Sequence, residues 1–233
     1  MYSRTLTAVR SNTVAKDLVL TVLFAAATAF GAQIAVRLPF SPVPLTLQVL
    51  MVIASGLALG ARRGLASQVC YLTAGVLGLP VFAGGTGGPA VLVGPTGGYL
   101  MAFPVAAFAA GWLSERLQGA GGVAGQGAGG VAGQGAGGVA GQGAGGVAGQ
   151  GHVRVGSFVA ALVAIAILYG VGSLWLGVWL RATTIHSLQG AYAAAWRLGV
   201  KPFILVDLAK AFLAAAGVQG SKHLLTRWFG AEL

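Results

Sequence analysis

Six apolar stretches of near-membrane length constrain this chain more than any other feature, and they run over 18–36, 43–61, 64–82, 97–113, 156–180 and 202–220. A helix of about 20 apolar residues crosses ~30 Å of hydrocarbon. Inside a bilayer no water satisfies backbone N–H and C=O groups, so helices, which bond internally, are the economical solution. The alternation that marks membrane β-strands is missing from all six. Charged residues make up 8% of the chain, against about 25% in soluble domains, so water cannot be its main solvent. The expected fold class is an all-α integral membrane protein, a single domain over 1–233 with six transmembrane helices.

The basic residues then orient the chain. With the N-terminus in the cytoplasm, the inner side receives Arg4, Arg10, Lys16, Arg62, Arg63, Arg116, Arg154, Lys222 and Arg227, and the outer side only Arg37, Arg181, Arg197 and Lys201. The excess of Lys and Arg on one side predicts both termini cytoplasmic. A net charge of +10 would also suit nucleic acid, but the basic residues form no stripe interleaved with aromatics, so no nucleic-acid partner is expected. The first apolar run is too long for the ~7–15-residue core of a signal peptide and is read as a retained helix. The single cysteine, Cys70, excludes an intrachain disulfide and a paired-cysteine metal site.

Residues 120–151 hold four consecutive copies of AGGVAGQG. A period of eight, half of it glycine, fits neither a collagen triplet nor a solenoid repeat. So little apolar surface cannot offset the entropy of ordering, and the tract is expected to be a flexible insertion in the cytoplasmic loop between the fourth and fifth spans.

The chemistry-bearing residues gather at the outer ends of the spans. In "PFILVDLAKAFLAAAG" (202–217), Asp207 and Lys210 stand three apart, nearly on one helix face, in a chain with four acidic residues. With Pro202 starting the helix, they lie roughly 7 and 12 Å into it. Ionisable groups at such depth face one another or a cavity, which leaves two readings: a packing ion pair or a polar binding site. Thr46, Gln48 and Tyr99 are expected at the same level, each able to donate and accept hydrogen bonds. The loop "GLPVFAGGTGGPAVLVGPTGGYL" (78–100) combines eight glycines from Gly78 to Gly98 with three prolines, which suits a segment folded tightly on a ligand or back into the bundle. No GK[ST] follows the glycines, so it is not a nucleotide-binding P-loop. Ala25 and Ala29, like Ala27, Gly31 and Ala35, have the small-xxx-small spacing that permits close helix approach, within the chain or to a partner.

The stretches "PVPLTLQVL", "GLPVFAGGTGG", "VGPTGGYLMAFP" and "VDLAKA" together resemble the BioY family, the biotin-specific substrate-binding (S) components of energy-coupling factor (ECF) transporters. The resemblance covers essentially the whole chain outside the octapeptide repeats. It implies the ECF S-component fold, placement in a prokaryotic cell (inner) membrane, and capture of biotin at the outer side without a cofactor or metal. It implies partnership with a transmembrane coupling protein and two ATPases. Asp207 and Lys210 match the family's ligand-binding positions, and Ala25 and Ala29 its docking motif for the coupling protein. Biotin carries a ureido ring, an apolar bicycle and a carboxylate tail. On this reading Asp207, Lys210, Gln48 and Thr46 serve its polar groups, while Phe82, Tyr99 and the backbone at Gly84 and Gly85 enclose its body.

Two alternatives compete. One is an S component for another vitamin, thiamine or riboflavin. The other is an intramembrane enzyme, which needs a nucleophile and base or metal ligands at membrane depth. His152, His186 and His223 are scattered in loops or at a helix end, and neither HExxH nor GxSxG occurs, so an enzyme is not expected.

Overall fold

The computed structural model describes the backbone of residues 2–127 and 145–229, and the side chains of 14–118 and 155–219. Eight helices and one small ribbon follow in the order α1 (Tyr2–Gln33), β1 (Ala35–Val36), β2 (Leu45–Thr46), α2 (Gln48–Leu59), α3 (Ala61–Val76), α4 (Ala90–Val93), α5 (Gly97–Gly127), α6 (Gly145–Thr183), α7 (Leu188–Gly199) and α8 (Ile204–Phe229). Among the described residues, three helices are long and apolar enough to cross a membrane, over Val14–Gln33, Gly97–Gln118 and Val155–Thr183. The protein is therefore membrane-embedded and helical.

The other expected spans are reshaped. The first two runs each give up residues to an antiparallel ribbon that pairs Ala35 with Thr46 and Val36 with Leu45. The prolines at 39, 42 and 44 explain why: they lack the N–H a continuing helix needs and hold the residues before them extended. The ribbon returns the chain so that the Leu47 N–H bonds the carbonyls of Gly31 and Ile34, satisfying orphan acceptors at the end of α1. What remains of the second run is the 12-residue α2, about 18 Å long. A single residue, Gly60 at φ 82°, joins it to the 16-residue α3, and the Glu115 carboxylate accepts from the Ala61 N–H at 3.0 Å to cap that start.

Between the fifth and sixth expected spans, residues 181–201 contain a further helix, α7. Its signals lie in the residues: Ser187 accepts from the Gly190 N–H at 3.2 Å as N-cap, and Ala191, Ala194, Ala195 and Gly199 form one buried stripe at helical spacing. α8 begins at Ile204, two residues later than expected, because residues 201–203 form a turn closed by Phe203 N–H to Val200 C=O. Asp207 consequently lies in the first helical turn, roughly 5 Å from its start. The ends of the octapeptide tract continue α5 to Gly127 and α6 from Gly145, and the centre of the expected spacer, 128–144, lies outside the described residues.

Small residues bring the helices together. On α5, Ala102, Ala106, Ala107 and Ala110, and on α6 Ala160, Ala161 and Ala164, are each at most 1% exposed and share one core. Dispersion between closely approaching backbones, not apolar burial, drives such association in lipid. The α2–α3 contact is tighter still, since a Cβ on Gly64 would lie 2.8 Å from the Gly56 Cα. Gly64→Ala is expected to destabilise the protein by about 1–3 kcal/mol, read as a lower unfolding midpoint in detergent. Gly217→Ala, where nothing lies within 4 Å, should be neutral; equal midpoints for the two variants would contradict this packing.

Candidate functional site

A cavity of about 430 Å³ opens at the end of the bundle that carries the ribbon, the glycine-rich loop and α7. Its volume falls within the ~300–1,000 Å³ of small-molecule sites. Its walls are mostly apolar, with Val49, Val91, Leu100, Phe103, Leu168 and Phe203 contributing from five different segments. Into it reach six of the residues singled out from sequence: Thr46, Gln48, Phe82, Tyr99, Asp207 and Lys210.

Asp207 and Lys210 are 3% and 4% exposed. The Lys210 ammonium donates to Asp207 Oδ1 at 2.7 Å and to the Thr46 carbonyl at 2.6 Å. The second carboxylate oxygen of Asp207 accepts from the Tyr169 hydroxyl at 2.7 Å. Such extra hydrogen bonds offset the desolvation that makes buried ion pairs costly. Neither group is saturated: one ammonium proton and further carboxylate lone pairs remain for a ligand. The site is thus an overall neutral pair set in an apolar chamber.

The surrounding polar groups are held from behind. Thr46 accepts from the Gln48 N–H at 3.3 Å, fixing the start of α2, and donates to Gln48 Oε1 at 3.1 Å. The Gln48 amide donates to the Tyr71 hydroxyl at 2.5 Å. Tyr99 donates to the Gly199 carbonyl at 2.7 Å, and Gly172 and Gly199 leave the room its ring fills. Arg37, exposed beside the ribbon, lines the cavity and makes no ion pair among the described residues.

The remaining residues singled out from sequence lie away from the cavity lining. Gly84 and Gly85 do not line the cavity. At φ 74° and 71° they form the exposed tight turn that closes the Phe82–Thr86 bridge. Ala25 is 7% exposed within the chain's own core, and Ala29 packs against that core. Ala25 therefore contributes to packing within the chain, while Ala29 is partly exposed beside it.

Sequence reasoning passed over Tyr169, Arg37 and Tyr71. Tyr169 had a signal, a phenol in the middle of the apolar run "AIAILYGVG", since a hydroxyl at that depth needs a partner. Removing one member of a buried pair costs roughly 3–5 kcal/mol. Asp207→Asn alone and Lys210→Met alone should each lower the unfolding midpoint, and the double variant should recover most of the loss; additive losses in the double variant would contradict a mutually compensating pair.

Comparison with known proteins adds relationships to this geometry. A family model described as the BioY family matches residues 4–227. The probable biotin transporter BioY of Pyrococcus horikoshii is 36% identical over 200 residues, covering 86% of this chain and 92% of that one. The biotin transporter BioY2 of Lactococcus lactis is 30% identical over 202 residues, 87% of each chain. The biotin transporter BioY of Rhizobium etli is 48% identical over 103 residues, 44% of this chain and 55% of that one. Among solved structures, the S-component for biotin from an ECF-type ABC transporter superposes with a TM-score of 0.66 at 23% identity, covering 91% of this chain and 93% of that one. That likeness shows a shared fold.

Proposed function

The chain belongs to the BioY family, and we propose that it binds biotin in the cavity described above and supports its uptake as the substrate-specific component of an ECF-type transporter. The observation that carries this reading is the Asp207–Lys210 pair, buried yet lining a chamber with apolar walls. A ureido ring offers N–H donors to a carboxylate and a carbonyl acceptor to an ammonium, so it complements the pair without leaving either charge uncompensated. Phe82, Phe103 and Leu168 supply apolar contact for the bicycle. Because the deep pair is neutral overall, the ligand's carboxylate is directed to Arg37 at the mouth, a cation not already committed.

The proposal extends to the setting. The chain works in a multi-pass arrangement in a prokaryotic cell (inner) membrane, with six spans and both termini cytoplasmic, as the distribution of Lys and Arg supports. It has no P-loop signature of its own, so a membrane coupling protein and two ATPases supply the energy. The tract 120–151 is a neutral spacer, and deleting three of its four copies should leave uptake unchanged; loss of uptake would give the repeats a role.

Equilibrium binding of labelled biotin to the detergent-purified chain tests the reading. Unlabelled biotin should displace it at concentrations at least roughly a hundredfold below those of thiamine or riboflavin, about 2.7 kcal/mol of discrimination. Preference for either of those vitamins would select the alternative S component. Arg37→Gln should weaken binding of biotin but not of biotin amide, and equal losses for both would remove Arg37 from the carboxylate site.

A further inference from the structure

We infer that Tyr71, which does not line the cavity, is a positioning residue that fixes which way the Gln48 amide faces the ligand. Tyr71 is 1% exposed and lies behind three cavity-lining side chains. Its ring meets Phe82 edge-on at 5.6 Å and stacks on Phe103 at 6.2 Å. Its hydroxyl has two partners: it donates to the Val81 carbonyl at 3.2 Å and accepts from Gln48 Nε2 at 2.5 Å.

Proton bookkeeping makes this arrangement directional. A carbonyl only accepts, so the single phenolic proton goes to Val81. The hydroxyl then has only lone pairs left for Gln48, which must turn its NH₂ toward Tyr71. Gln48 Oε1 is thereby sent toward Thr46, whose hydroxyl donates to it at 3.1 Å while accepting from the Gln48 backbone N–H at 3.3 Å. The Val81 carbonyl sets the direction: turning the amide over would draw the phenolic proton to Gln48 Oε1 and leave that carbonyl facing a second acceptor. One amide N–H and one Oε1 lone pair of Gln48 remain, in fixed places, for whatever fills the cavity. A cyclic ureide presents the complementary acceptor and donor. Without the Tyr71 hydroxyl the amide loses the acceptor that orients it, and its donor and acceptor are no longer held in fixed places, because the Thr46 hydroxyl can bond either end. Val81 belongs to the glycine-rich segment that also carries Phe82, so the same hydroxyl ties that segment to the polar wall.

This inference rests on the biotin reading, and a double-mutant cycle separates the two. In the full-length purified chain, Tyr71→Phe should weaken labelled-biotin binding about tenfold, the worth of one oriented hydrogen bond to a ligand. In a Gln48→Ala background the same substitution should change affinity less than twofold. Equal losses in both backgrounds would mean that Tyr71 acts through packing alone, and would overturn the inference while leaving biotin binding intact. If the wild-type chain shows no saturable biotin binding, the functional reading fails and the inference with it. Where Gln48→Ala binds too weakly to measure, ¹⁵N-glutamine labelling of the ligand-free chain decides. The Gln48 side-chain amide signal, assigned by its loss in Gln48→Ala, should shift and lose exchange protection in Tyr71→Phe. An unchanged signal overturns the inference.

Discussion

An ammonium and a carboxylate taken out of water must satisfy each other and then find further partners, and at Asp207 and Lys210 that requirement ties three parts of the chain together. α8 supplies both charges, α6 supplies the Tyr169 hydroxyl, and the ribbon supplies the Thr46 carbonyl. The Thr46 side chain then sets the start of α2 and the orientation of Gln48. A buried pair is weak evidence for stability, since well-packed apolar residues would often serve as well. Beside a cavity, a neutral but unsaturated pair presents a donor and an acceptor without a net charge.

The scaffold that holds this pair is built from what is missing at the helix contacts. Alanines on α5 and α6 and glycines between α2 and α3 let backbones approach closely, which is how helices associate where lipid is as apolar as leucine. The polar end is arranged differently. There the chain abandons long helices for a proline-bounded ribbon, a glycine-rich loop and the short α7. Ser41 from the ribbon's connection donates to the Leu198 carbonyl at 2.7 Å, and Tyr99 to the adjacent Gly199 carbonyl, so the loop, α5 and α7 close around one chamber.

The polar groups at the cavity were legible in sequence because charged and hydrogen-bonding side chains stand out against apolar runs: Asp207, Lys210, Gln48, Thr46 and Tyr99 all line it. The membrane class was legible for the same reason. Span boundaries were less so. Hydropathy does not distinguish 43–47, which lead into and through the ribbon, from the same residues as helix; only the prolines do. α7 was missed because its buried stripe is alanine and glycine, which raise hydropathy little yet pack well. Ala25 and Ala29 were ambiguous in principle, since small residues suit contact within the chain as well as contact with a partner; Ala25 is buried in the chain's own core and Ala29 is partly exposed. Tyr71 and Arg37 could not be assigned from sequence, because their roles depend on which groups lie across a space the fold creates.

The chain belongs to the BioY family, shares the fold of a biotin S-component, and holds an apolar chamber with a neutral polar floor, which the proposed reading fills with biotin. The most direct test is a structure of the chain solved with biotin bound. The expected result is the ureido ring within hydrogen-bond distance of Asp207 and Lys210 and the carboxylate beside Arg37. Biotin bound elsewhere, with the Asp207–Lys210 pair closed off from it, would contradict the central claim.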